Sequence, residues 1–117
     1  MRVGVISDDL ILYSRIEAAA SAADAPLVRA SSPADLPSDL DLVLVDWAGR
    51  EASWEETLVA IDSRVILFGP HTDLAAHAAA RAAGLGPMWA RSKLVVELSS
   101  LLVSDLTQLN LKGPDIP

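Results

Sequence analysis

The chain has no cysteine among its 117 residues. Disulfide bonds, thiolate metal sites and a thiol nucleophile are therefore all excluded. Long hydrophobic runs are also missing: residues 1–9 lack the apolar run of a signal peptide, and no stretch approaches the roughly 18 apolar residues of a membrane span. These absences predict a cytoplasmic protein without a membrane partner.

Basic residues are few as well. Nine lysines and arginines face sixteen aspartates and glutamates, which gives a formal net charge of −7. Since no Lys/Arg cluster could neutralise a phosphate backbone, we exclude nucleic acid as a direct partner. The phosphate-binding patterns G-x-G-x-x-G and G-x-x-x-x-G-K-[ST] and the hydrolase pattern G-x-S-x-G do not occur, which argues against nucleotide binding through those motifs and against ordinary hydrolase chemistry.

What the sequence does contain is a set of short aliphatic segments. Leu42–Val45 runs through four aliphatic residues without alternation, and Val3–Ile6 and Arg64–Phe68 are of the same kind. This pattern is typical of strands that are buried on both faces. Five strands alternating with helices predict a single α/β domain of flavodoxin-like (βα)5 type, a doubly wound parallel sheet with strand order 2-1-3-4-5. We place the domain at residues 1–109 and a C-terminal tail at residues 110–117.

The first helix is predicted from capping residues and apolar spacing. Ser7, Asp8 and Asp9 offer N-cap oxygens to a helix that runs to about residue 24. Its predicted buried stripe comprises Ile11, Leu12, Ile16, Ala19, Ala20 and Ala23. Pro37 stops the second helix early, so that helix is expected to be a turn or two at most.

The later helices carry similar signals. Ser53 and Glu56 form a capping-box pattern for a third helix, and Thr72 begins an alanine-rich one. A last helix is predicted over Ser92–Leu109 with Ser92 as its cap. Residues 85–90 are the least regular of the predicted strands, because glycine and proline suit only a strand's beginning.

Carboxylates follow two strands that the predicted order makes neighbours. Asp8 and Asp9 come after the first strand, and Asp46 ends the third. Because the carboxyl ends of parallel strands share the edge at which ligands bind in such sheets, we expect these groups to converge there. The alternatives are that Asp46 is a turn residue and that Asp8 and Asp9 cap the first helix, and capping is compatible with ligand binding.

Over nearly its whole length the sequence resembles the receiver domain of bacterial two-component response regulators. The resemblance places Ser7 and Asp8 on the acidic pair of that family, with Asp9 following, and Asp46 on its phosphoacceptor. It implies a histidine kinase as the phosphate donor. It also implies Mg2+ at Asp8, Asp9, Asp46 and the backbone carbonyl of Ala48.

A second passage extends the resemblance. Ala82–Ser92 is similar, without a gap, to the end of the fourth helix and the fifth strand of receivers. It places Arg91 on the family's lysine and Ser92 on the proline that follows it, Met88 on the switch aromatic residue and Gly69 on the hydroxyl-bearing residue. The dipeptide Asp46-Trp47 also occurs in chemotaxis-type receivers.

Four signature positions of the family are altered here, at Gly69, Met88, Arg91 and Ser92, and Ser7 stands where the family has an acid. Three of these changes bear on the chemistry of the site. Gly69 has no hydroxyl with which to bind a phosphoryl oxygen, so the phosphorylated state loses its main differential contact. Arg91 keeps the positive charge, but its planar fork is not equivalent to a lysine ammonium. Ser7 replaces an acid and weakens a site for a hard cation, so we expect Mg2+ to bind weakly.

The sequence therefore predicts a stand-alone, atypical receiver-like domain, a pseudo-receiver that serves signalling or protein interaction without ordinary phosphorylation switching. It is not expected to be an enzyme. Two alternatives stay open: a functional phosphoacceptor receiver of a phosphorelay, and a small flavodoxin-like ligand-binding protein or enzyme. The ligand-binding protein or enzyme would require a deep pocket at the edge of the sheet.

The last helix carries one further signal. Its core stripe comprises Leu94, Leu98, Leu101, Leu102, Leu106 and Leu109. Val96 and Val103, seven residues apart, add an apolar line on another face, which favours a partner surface and a weak homodimer. A histidine kinase or another signalling protein is the alternative partner, and singly exposed valines without any partner are the simplest alternative.

Overall fold

Five parallel strands form one sheet in the order β2-β1-β3-β4-β5, as predicted. The computed structural model of the chain describes residues 1–107, with side chains described for residues 1–102. The strands are β1 (Val3–Ile6), β2 (Leu27–Arg29), β3 (Leu42–Asp46), β4 (Arg64–Gly69) and β5 (Trp89–Ala90). The fold is the flavodoxin-like α/β arrangement that the aliphatic segments indicate, in a single domain.

Helices cover both faces of the sheet. They are α1 (Leu10–Ala22), α2 (Trp54–Val59), α3 (Leu74–Ala82) and α4 (Arg91–Thr107), with short 3-10 turns at Pro33–Asp35 and Trp47–Gly49. The turn at Pro33–Asp35 stands where the second helix was expected, which confirms that this helix is shortened. Within residues 1–107, no helix combines the length and the apolar composition that crossing a bilayer requires.

The strand residues alternate between two cores. On one face, Val5, Leu42 and Leu44 pack with residues of α1 and α4. On the other, Val43 and Val45 pack with residues of α2 and α3. Since successive side chains of a strand point to opposite faces, an unbroken aliphatic run fills both cores.

The register of the sheet brings two polar strand ends together. β1 and β3 are neighbours, with Val3 opposite Leu42 and Ile6 opposite Val45. The residues that follow these strands therefore meet at the carboxyl edge of the sheet. β3 in turn pairs with β4, which places Asp46 opposite Phe68.

Ile11 was predicted to be buried, and this was wrong. Its side chain is 74% exposed, whereas Leu12, Ile16 and Ala20 face the core. Asp9 is the N-cap residue of this helix, and Leu12, Ile16 and Ala20, each four residues from the next, lie against the sheet. Ile11 lies about 100° away from Leu12 around the helix.

Two predicted caps were also wrong. Ser53 makes no side-chain capping bond, because its backbone is already helical (φ −76°, ψ −11°) and lacks the extended conformation of a capping residue. Ser92 lies inside α4, which begins at Arg91 directly after β5. α3 begins at Leu74, two residues after Thr72, with Asp73 as its cap. The predicted end of the last helix at Leu109 and the tail at residues 110–117 lie outside the described residues.

Candidate functional site

Two buried polar side chains meet at the carboxyl edge of the sheet. Within residues 1–102, Ser7 and Asp46 are the polar or charged residues that are buried. The hydroxyl of Ser7 donates to Oδ2 of Asp46 over 3.4 Å and accepts the backbone N–H of Asp9 at 3.1 Å. Because an unpaired polar group is costly to bury, these bonds make the buried pair tolerable. The ends of β1 and β3 therefore meet at this edge, but the residue in direct contact with Asp46 is Ser7, where the sequence predicted Asp8 or Asp9.

Arg91 supplies the positive charge of the site. Its Nη2 lies 3.3 Å from Oδ2 and 3.5 Å from Oδ1 of Asp46, and its Nε lies 3.9 Å from Oδ2 of Asp9. Arg91 follows β5, whereas Asp46 ends β3, and β4 lies between them. The side chains of Arg91 and Asp46, with the 3.3 Å contact between them, therefore together bridge two strand spacings, roughly 9.5 Å, which favours a long residue at position 91.

Asp9 has two roles in the structure. Its Oδ1 accepts the backbone N–H groups of Ile11 and Leu12, both at 3.1 Å, and so caps α1. Its Oδ2 faces the guanidinium of Arg91. Capping of the first helix is therefore established for Asp9, while the Asp8 side chain is exposed beside it.

Gly69 lies at the end of β4, and the side chain of Met88 fills the space that a side chain at residue 69 would need. A Cβ at this position would lie 3.0 Å from Sδ and 3.4 Å from Cε of Met88, which is buried. It would also lie 3.8 Å from Cβ of Ala48. Any side chain at residue 69 would therefore have to move Met88, so the glycine and the methionine form a complementary pair.

The segment after Asp46 is held by Trp47. This ring is fully buried, and its indole N–H donates to the carbonyl of Ala76 in α3 over 3.0 Å. Arg50 stacks on the ring at 5.3 Å and donates to the carbonyl of Trp47. Ala48, whose carbonyl the resemblance implies as a metal ligand, is exposed in the 3-10 turn that Trp47 anchors.

Sequence reasoning missed one basic residue near the site. Arg29 ends β2, and its Nη2 donates to the carbonyl of Ser7 over 3.1 Å while its guanidinium stacks on Tyr13 at 4.7 Å. The available signal was its position, because a residue that ends the strand next to β1 reaches the same edge of the sheet.

A small cavity opens beside Asp46. Its volume is about 80 Å³, and its polar lining includes Ser7, Asp8, Ser31, Asp46 and Glu51. At about 30 Å³ for each water of the liquid, this space suits two or three water molecules. Pockets for small-molecule ligands are usually about 300–1,000 Å³, so this cavity is not a ligand pocket of the ordinary size.

The donor set does not fit the Mg2+ that the receiver resemblance implies. Mg2+ requires near-octahedral oxygen ligands, usually with one or two free carboxylates. Here both oxygens of Asp46 face Arg91, and one oxygen of Asp9 is used as a helix cap. Among the described residues, no group of three or more histidine, cysteine, aspartate or glutamate side chains is arranged to hold a metal ion.

The predicted interface residues belong to α4. Val96 in α4 is 76% exposed, which agrees with its place outside the core stripe. Val103 is in α4, but its side chain lies outside the described residues, as do those of Leu106 and Leu109. The four earlier leucines of the stripe are buried as expected: Leu94, Leu98, Leu101 and Leu102.

Solved structures of receiver domains have the same fold. The chain superposes on a response regulator receiver domain protein from Clostridium thermocellum with a TM-score of 0.60 and 18% identity, covering 93% of this chain and 98% of that one. For a CheY-like receiver domain protein from Methanospirillum hungatei JF-1 the TM-score is 0.63, the identity 12%, and the coverage 92% and 97%. For a receiver protein from Burkholderia phymatum the values are 0.62, 19%, 92% and 93%. No protein-family model and no curated protein matches the sequence. The resemblance is thus confirmed at the level of the fold.

Proposed function

We propose, from this receiver fold, that the chain is an atypical two-component-type signalling module that acts through protein contacts and is not switched by ordinary aspartyl phosphorylation. The observation that carries the proposal is the pairing of Asp46 with Arg91, at 3.3 and 3.5 Å. A phosphoryl group on Asp46 would have to displace or re-pair a guanidinium that already faces both oxygens of the carboxylate. It would also find no hydroxyl at Gly69.

The loss of the hydroxyl matters for switching as well as for binding. A modification shifts a conformational equilibrium only as far as it makes different contacts in the two states. Met88 already packs against the backbone of Gly69, so no side chain at the end of β4 is free to follow a phosphoryl group. The proposed module therefore keeps one arrangement at this edge of the sheet.

A functional phosphoacceptor remains the second candidate, for one specific reason. The Asp46 side chain keeps 12% of its surface exposed and lines the small cavity at the sheet edge. A small phosphodonor could therefore reach it from solvent. This candidate needs Arg91 to swing aside or to pair with the phosphoryl group instead.

The ligand-binding or enzymatic alternative required a deep pocket at this edge. The cavity beside Asp46 has a volume of about 80 Å³, which is too small for an ordinary substrate. The larger hollow at this edge, about 420 Å³ between the ends of β1 and β2, is an open depression and not an enclosed pocket. We therefore propose a binding module, not an enzyme. A cytoplasmic location belongs to the same proposal.

The proposed contact surface is the exposed side of α4. Val96 projects from it and is 76% exposed. We propose that this side supports weak self-association or binding of a signalling protein such as a histidine kinase, since an unneeded apolar side chain on a helix favours a partner.

The test is phosphorylation of the whole chain. The protein is incubated with acetyl phosphate and MgCl2, or with beryllofluoride, and intact mass, tryptophan fluorescence and oligomeric state are measured. We expect no stable adduct and little change, with Asp46→Asn behaving like the wild type. A saturable, Mg2+-dependent adduct on Asp46 that shifts the oligomeric state, and that Asp46→Asn abolishes, would establish the second candidate.

A further inference from the structure

We infer that Arg91 is the resident cation of the acidic site, where it takes the place of a divalent metal ion. The inference goes beyond the proposed function, because it concerns what holds this edge of the fold together whether or not the chain signals. Both oxygens of Asp46 face Arg91 and one oxygen of Asp9 caps α1, so neither carboxylate is free for Mg2+.

Arg91 joins three parts of the chain at one point. It lies at the beginning of α4, it contacts Asp46 at the end of β3, and its Nε faces Asp9 at the beginning of α1. A divalent ion in such a site would have the same structural task, which is to hold carboxylates from different elements together. Here a side chain of the protein performs it.

The surroundings of Arg91 suit a permanent cation. Its Nε is fully enclosed and has no hydrogen-bond partner within the described residues, which leaves the 3.9 Å ion pair with Asp9 as its compensation. A guanidinium is more weakly hydrated than an ammonium and presents several donors in a plane, so it tolerates such partial burial. A lysine has a single nitrogen at its tip, so it could not place separate nitrogens against Asp46 and Asp9.

The charges around Arg91 explain why it would exclude a metal ion. Asp46 and Asp9 contribute two negative charges, and the guanidinium neutralises one of them. The exposed Asp8 lines the adjoining cavity and leaves the site acidic overall. A divalent ion bound to Asp46 would have to displace the tethered guanidinium or lie beside it, where the two positive charges repel each other.

The inference predicts that removing the guanidinium exposes a cation site. In Arg91→Gln, Asp46 loses its paired charge, and the carboxylate of Asp46 together with Oδ2 of Asp9 is left to a hard cation, which can be bound by two carboxylates while keeping several waters. The variant should therefore gain a response to Mg2+ or Mn2+ that the wild type lacks.

The experiment compares four proteins: wild type, Arg91→Gln, the double variant Arg91→Gln/Asp46→Asn, and Arg15→Gln. Arg15 is exposed in the middle of α1 and is the matched control for loss of one positive charge. Thermal unfolding is followed with and without MgCl2 or MnCl2 at constant ionic strength, and Mn2+ binding is measured directly by electron paramagnetic resonance.

We expect Arg91→Gln alone to be stabilised by metal, with a rise in Tm of about 5 °C at a concentration near ten times its Kd. The wild type, Arg15→Gln and the double variant should not respond. Stoichiometric Mn2+ binding by the wild type would overturn the inference, and so would a folded Arg91→Gln that binds no more Mn2+ than the wild type does.

If Arg91→Gln does not fold, Arg91→Lys provides the second test. It keeps the charge but cannot place separate nitrogens against Asp46 and Asp9, so we expect it to fold and to be less stable than the wild type. An Arg91→Lys protein with wild-type stability would contradict the inference. Phosphorylation results bear on the proposed function and are read separately, since these assays contain no phosphodonor.

Discussion

The contact between Arg91 and Asp46 should make a measurable energetic contribution, which a double-mutant cycle isolates. The cycle consists of Asp46→Asn, Arg91→Gln and the double variant, each compared with the wild type by urea unfolding. Both replacements keep the approximate size and polarity of the side chains, so the cycle reports chiefly the charge pair. Arg2 and Asp39, an exposed ion pair in which Asp39 is 64% accessible, provide the control cycle.

The magnitude follows from the geometry. At 3.3 Å and an effective dielectric constant of about 20, the Coulomb attraction is about 5 kcal/mol before any cost is subtracted. Desolvation of the carboxylate offsets much of this gain, and the guanidinium is 37% exposed, which screens the pair further. We therefore expect a net coupling of about 1–2 kcal/mol, between the values typical of surface pairs and of buried pairs.

The assay follows tryptophan fluorescence and circular dichroism through urea unfolding, at low salt and in about 1 M NaCl, where the Debye length is only about 3 Å. The Arg2–Asp39 cycle should give a coupling below about 0.5 kcal/mol that salt abolishes, because the pair is exposed. The Arg91–Asp46 coupling should largely survive the salt. If the two substitutions are additive within about 0.3 kcal/mol, the reasoning from this contact is refuted.

Three further predictions concern single positions. Gly69→Ala should destabilise the fold by about 1 kcal/mol, because its Cβ would press on Met88 at 3.0 Å, and the same change in a Met88→Ala background should cost less. An equal cost in both backgrounds, measured by urea unfolding, would show that the contact is unimportant. Asp9→Ala should lose about 1 kcal/mol of stability with the cap of α1, whereas Asp9→Asn should lose less because its amide oxygen can still accept both N–H groups. Equal losses for the two Asp9 variants would contradict the capping role. Val96→Glu should weaken self-association in sedimentation experiments, since it places a charge in the proposed contact, while Val59→Glu, exposed on α2, should not; a monomeric wild type at all concentrations would remove the basis of this prediction.

The buried strands and the position of Asp46 at the end of one of them could be predicted because local signals specify them. Leu42–Val45 has no polar residue to place on a solvated face, so it had to be a strand covered on both sides. Pro37 ended the second helix for a reason that is likewise confined to a few residues of chain. An acid that directly follows such a strand lies at the carboxyl edge whatever the details of packing.

The composition of the site depended on tertiary structure. Ile11 and Leu12 carry similar side chains, and only the docking of α1 on the sheet decided that Leu12 is buried and Ile11 exposed. Ser53 and Ser92 are of a residue type that often caps helices, but neither has the extended backbone of a cap. The turn before Ser53 and strand β5 before α4 determine the backbone conformation at these two positions.

The same is true of the two pairs that define this edge of the sheet. Met88 fills the space above Gly69, and Arg91 spans β4 to reach Asp46, only because the sheet places β3, β4 and β5 side by side. The residue types showed that a hydroxyl and a lysine were replaced. Which groups would then touch was decided by distances between strands that are far apart in sequence, and no local pattern contains that information.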